Sequence, residues 1–142
     1  MIYRAEDTGM RVFLDANILF SASDLQSRTA KTLRELVERG HEVVTRSYAW
    51  AEVLRNLGNK RPCLLNGLEK IRGVVAIIDA VPAPVDVACE AKDKPILAGA
   101  AGAGCTHLWT GDKAHFGMFF GKKICGVTVV SSIQLTALLT RG

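Results

Sequence analysis

The chain has 142 residues, a formal charge of +4 from 18 Lys and Arg against 14 Asp and Glu, and 49% hydrophobic residues against 23% charged. That length fits one domain, and the balance is that of an ordinary globular protein with ample core material. No apolar run approaches a membrane span, and the N-terminus Met1-Ile-Tyr-Arg-Ala-Glu-Asp is too polar for a secretory leader. Cys63, Cys89, Cys105 and Cys125 form no C-x-x-C pair and have no His at zinc-like spacing. The expectation is a cytoplasmic protein with free, mostly buried thiols.

In chain order, residues 1–9 read as a polar extension and 10–142 as a single domain. Val12 to Leu14 is a short apolar run ending at Asp15, a buried strand, and Ala16 to Ala22 follows at helical spacing. Thr29 to Arg39 puts Leu33, Leu36 and Val37 on one face, an amphipathic helix stopped by Gly40. A second strand over His41 to Thr45 leads to Ser47, a candidate cap for a helix through Ala51 and Leu54 to Leu57. A shorter helix is expected from Leu64 to Ile71, and a third strand from Val74 to Ile78.

Pro82 and Pro84 precede a brief helix through Val87 and Cys89, and Asp93-Lys-Pro opens a small-residue helix with Pro95 in its first turn. Thr106 to Thr110 forms a fourth strand ending at Gly111-Asp112, and Lys123 to Val130 holds a fifth. Ser131 and Gln134 have capping-box spacing ahead of a last helix through Leu135, Leu138 and Leu139, which either packs internally or forms a homodimer contact. The alternation of strands and helices implies a mainly parallel sheet with helices on both faces. In such folds ligands gather at the carboxyl edge of the strands.

Four acids fall at that edge: Asp15 and Asp112 at strand ends, Glu52 and Asp93 near helix starts. Each has a structural reading as well: Asp15 and Asp93 as helix caps, Asp112 as a turn residue, Glu52 as part of a solvated face. Taken together, they describe an oxygen-rich site, because clustered carboxylates either repel one another or hold a hard divalent cation such as Mg2+ or Mn2+.

Val12-Phe-Leu-Asp-Ala-Asn-Ile-Leu-Phe-Ser-Ala, Ala91-Lys-Asp-Lys-Pro-Ile-Leu-Ala-Gly-Ala and Thr106-His-Leu-Trp-Thr-Gly-Asp-Lys together resemble three motifs of PIN-domain ribonucleases, of the toxin-like VapC type, over residues 11 to 131. The resemblance implies an α/β/α sandwich in three layers around a five-stranded, mainly parallel sheet. It implies Asp15, Glu52, Asp93 and Asp112 as catalytic, Mg2+- or Mn2+-binding residues, Asn17 and Thr110 as hydrogen-bonding support, and Ser21 as a lesser candidate. Where such proteins often carry a further acid after the last motif, this chain has Ala114 and His115. Arg46, Lys92, Lys94 and Lys113 flank the acids as candidate phosphate contacts, with solvated surface the alternative for each, and His115 is a further candidate whose first reading is a loop histidine with no role. Tyr48 and Trp50 are candidates to stack on unpaired bases, with a core role the first choice for Trp50.

The implied function is a metal-dependent endoribonuclease acting on RNA, with a protein antitoxin as a further partner. The alternative is a PIN-like module that grips RNA or protein without cutting. A phosphatase using Asp15 as nucleophile ranks last, because Asn17 stands where that chemistry wants a second acid.

Overall fold

The computed structural model describes residues 9–79 and 94–141. The expected tail at 1–8, the brief helix through Val87 and Cys89, Lys92 and Asp93 lie outside the described residues. Strand β1 spans Arg11–Leu14, β2 Glu42–Thr45, β3 Ala76–Ile77, β4 His107–Trp109, β5 Lys123–Ile124 and β6 Val127–Val130. Helix α1 spans Ala16–Ala22, α2 Arg28–Glu38, α3 Ser47–Lys60, α4 Leu65–Ile71, α5 Lys94–Gly102, α6 Lys113–Phe116 and α7 Ser132–Arg141, with short 3-10 turns at Pro62–Leu64 and Gly117–Phe119.

The sheet runs in the order β3-β2-β1-β4-β6-β5, parallel throughout except for the β5–β6 pair. Alternation along the strands divides the core. Val12, Leu14, Val43, Trp109 and Val130 face α1–α4 and α7, whereas Phe13, Val44, Leu108, Val127 and Val129 face Leu97 and Ala100 of α5 and Phe116 of α6. This two-sided burial is why the strands read as nearly continuous apolar runs. Helices thus cover both faces, as the sequence implied.

Among the described residues the sheet has six strands rather than the expected five. The stretch from Lys123 to Val130 is not one strand but an antiparallel hairpin, pairing Ile124 with Val127. Its two turn residues, Cys125 at φ 53 and Gly126 at φ 83, both sit in the left-handed region, the geometry that matches a two-residue turn to strand twist. The third strand is also shorter than expected. Two of the thiols differ too: Cys105 is buried, and burial pushes it up to about 11, but Cys63 and Cys125 are exposed.

Helix ends follow local chemistry. Ser27 caps α2 by accepting from the Ala30 N–H, and Gly40 at φ 86 ends that segment. Ser131 and Gln134 form the expected capping box, each side chain accepting from the other's backbone N–H at 3.2 and 3.1 Å. Ser47 does not cap α3; it is the first helical residue, and its N–H donates to Asp79 at 2.9 Å while its hydroxyl also donates to that carboxylate.

Strand order creates one topological switch point. The chain leaves β1 toward β2 and returns to β4 on its other side, so a crevice opens outside the carboxyl ends of β1 and β4. Asp15 and Thr110 are the first residues past those two ends.

Candidate functional site

Register brings the crevice residues together. Leu14 pairs with Trp109, and the Asp15 N–H donates to the Trp109 carbonyl at 3.1 Å, so the chains leave the sheet side by side. Asp15 then turns into α1 as its cap, accepting from the Ala16 N–H at 2.7 Å. Its second oxygen accepts from the Thr110 hydroxyl at 2.8 Å and from the Asn17 amide at 3.3 Å. Asp15 keeps only 7% of its surface exposed and Thr110 none.

The network continues into the last motif. The Asp112 N–H donates to the Thr110 hydroxyl oxygen at 3.1 Å, and the Gly111 N–H donates to the Asn17 carbonyl oxygen at 2.9 Å. Asp112 caps α6, accepting from the His115 N–H at 3.1 Å, and its other oxygen pairs with the His115 ring at 2.7 Å. Asn17 and Thr110 therefore hold Asp15 and the Gly111-Asp112 turn in one constellation. Lys113 is exposed in the first turn of α6.

Burial holds the Asp15 carboxyl above its usual range. The Thr110 hydroxyl and Ala16 N–H oppose that rise, the Asp112 charge adds to it, and the Arg46 guanidinium opposes it. Two acids and one base thus act on one another at the crevice.

Glu52 lies half-buried on α3, one position before Val53 of the buried stripe formed by Ala49, Val53 and Leu57. Among the described residues no three His, Cys, Asp or Glu gather closely enough to hold a metal ion. Of the four acids, the described structure unites Asp15 and Asp112. Asp93 lies outside the described residues, as do Lys92 and the side chain of Lys94. Ser21 is exposed near the far end of α1, and the site does not include it. Trp50 belongs to the core, packed against the α1–α4 side with the Arg72 guanidinium over its ring at 5.7 Å.

Sequence reasoning missed one acid at the same edge. Asp79 follows β3 and Ile78, and it occupies the N-terminus of α3 through Ser47. The Ser47 hydroxyl and N–H hold its carboxyl below the usual range. The signal was legible: Val-Ala-Ile-Ile-Asp has the same apolar-run-then-acid pattern as Val-Phe-Leu-Asp.

The fold is similar to that of a chain in the crystal structure of VapBC2 from Rickettsia felis bound to a DNA fragment from their promoter, with a TM-score of 0.61 over 86% of this chain and 98% of that one. The shared property is the fold. Identity is 15%. No family model matches the chain, and no curated protein matches it. No helix among the described residues is long and apolar enough to cross a membrane.

Proposed function

We propose that the chain is a PIN-like module that binds RNA at the carboxyl edge of its sheet, in the crevice between β1 and β4. The observation that carries this reading is that protein donors already satisfy both carboxylates there. Asp15 is held by Ala16, Thr110 and Asn17, and Asp112 by the N–H and ring of His115. An edge closed by its own hydrogen bonds keeps its shape without a cation. Exposed Lys113 and Tyr48 and the guanidinium of Arg46 border it, and the net charge of +4 favours a phosphate-bearing partner.

A second reading, a metal-dependent endoribonuclease, is favoured by the juxtaposition of Asp15 and Asp112 across Thr110. Their oxygens suit Mg2+ or Mn2+, with Glu52 and Asp93 as the further acids the sequence offers. When bound, such an ion supplies a polarised phosphoryl oxygen and an activated water. Asn17 and Thr110 would fix the two carboxylates, and Arg46 would balance charge on the phosphodiester. The sequence resemblance to VapC-type PIN domains adds a protein partner, an antitoxin, to this reading.

One experiment separates the two. Wild type, Asp15→Asn and Asp112→Asn are incubated with a panel of RNAs, with Mn2+ and with chelator. Binding in chelator without Mn2+-dependent cleavage supports the module. Cleavage that needs Mn2+ and is lost in both variants moves the conclusion to the nuclease. No binding and no cleavage by wild type ends both readings.

A further inference from the structure

Arg46 follows β2 at the same sheet edge and immediately precedes α3. Its charge reaches Asp15 and Asp79, yet the structure gives it little hydrogen bonding in return. One terminal nitrogen donates to the Pro95 carbonyl at 3.4 Å, a long bond. Among the described residues, its Nε is the buried side-chain polar atom without a hydrogen-bond partner. A guanidinium carries five N–H donors in a rigid fork. The buried Nε is out of reach of a ligand in solvent, but the terminal nitrogens carry donors beyond the Pro95 bond that a phosphate can take.

Arg46 also lies over the ring of Tyr48, 5.4 Å from its centroid, and Tyr48 is 67% exposed. The contrast with Trp50 two residues on is informative. Trp50 turns into the core, whereas Tyr48 holds a large ring in solvent beside a cation. A tyrosine ring so placed offers its face to any base without selecting a sequence.

We infer that Arg46 and Tyr48 form one nucleotide step of the RNA path: the guanidinium takes a phosphodiester oxygen pair, and the tyrosine ring takes the adjacent unpaired base. The ligand class is single-stranded RNA, since a paired base presents no free face for stacking. This rests on the RNA-binding reading above and assigns two side chains to it.

The test is fluorescence anisotropy with a labelled single-stranded oligoribonucleotide in chelator, at several salt concentrations, on wild type, Arg46→Lys, Arg46→Ala, Tyr48→Ala and Tyr48→Phe. Thermal melts of each variant report folding, and Arg46→Lys stands in should Arg46→Ala fail to fold. The inference expects Arg46→Lys and Tyr48→Ala each to weaken binding roughly tenfold, with Tyr48→Phe restoring it through its ring. For Arg46→Ala the slope of log affinity against log salt falls by about 0.7, one phosphate contact on a single strand. Wild-type affinity in folded Arg46→Lys and Tyr48→Ala overturns the inference while leaving RNA binding in place. No binding by wild type overturns both, and an equally strong preference for duplex RNA overturns the assignment of Tyr48 to a base.

Discussion

The hydroxyl of Thr110 donates to the carboxylate of Asp15 at 2.8 Å across 95 residues of sequence, joining the ends of β1 and β4. Both residues are buried, so this bond has no water to replace it. Thr110 also accepts from the Asp112 N–H, which makes one hydroxyl the hinge between two carboxylate-bearing segments.

Replacing Thr110 with Val keeps the shape and removes the hydroxyl. The buried Asp15 carboxylate then loses a donor, and the Asp112 N–H loses its acceptor. The expected cost is about 1–3 kcal/mol in urea unfolding at neutral pH. A change within a few tenths would mean that the crevice is wetter than the burial of these two residues indicates.

Asp15 has an uncommon sign of pH linkage. Its folded-state pKa is raised above the ordinary 3.8, chiefly by burial, so between those values the folded state binds more protons than the unfolded. Its contribution to stability is therefore fully present below the ordinary value and is lost as pH rises through the folded one. Asp15→Asn removes that loss. The stability of the variant relative to wild type should rise from about pH 4 toward neutrality, read from denaturant midpoints. A flat difference across that range would contradict the assignment.

His41 carries the opposite slope. The Met10 N–H donates to its Nδ1 at 3.0 Å, a bond that requires that nitrogen unprotonated. Burial, and then the charge of Arg39, lower its pKa below the ordinary 6.5. Between the folded and ordinary values the unfolded state binds more protons, so this contribution is present above 6.5 and is lost as pH falls through the folded value. His41→Asn should lessen the decline of stability as pH falls from 6.5 toward the folded value. Hydrogen exchange at the Met10 amide should quicken over the same interval.

Gly67 tests the packing of α4 on the end of α1. A Cβ built there would lie 1.9 Å from the Ser23 carbonyl oxygen and 2.9 Å from its carbon. The obstacle is backbone, so no side-chain rotation relieves it. Gly67→Ala should cost at least about 2 kcal/mol, against a gain of about 0.5–1 kcal/mol for Ala at Gly58, a helical position where nothing stands within 4 Å.

The capping box of α7 is open to a milder test. Ser131→Ala removes the acceptor of the Gln134 N–H and should cost about 1 kcal/mol in thermal unfolding. Gln134→Ala in the same background should add little, because the two bonds form one reciprocal unit.

Local patterns carried much of this structure in legible form. Apolar runs ending in an acid marked β1, Ser131 and Gln134 marked the start of α7, and the small-residue stretch after Pro95 marked α5. The hairpin at Cys125-Gly126 was not legible, because it depends on two residues adopting positive φ and only one is glycine. The cap of α3 was misassigned for a related reason. Ser47 is a common capping residue, but Asp79, brought there by β3, fills the role.

By itself the sequence determined the order of the elements and which acids stand at strand ends, since both follow from short-range periodicity and capping chemistry. Tertiary structure decided which of those groups meet. The pairing of β1 with β4 places Thr110 against Asp15 and draws Asp112 into the same network, while Glu52 remains beside the buried stripe of α3. Strand order is a long-range outcome of burying two apolar faces at once, and no window of local sequence contains it.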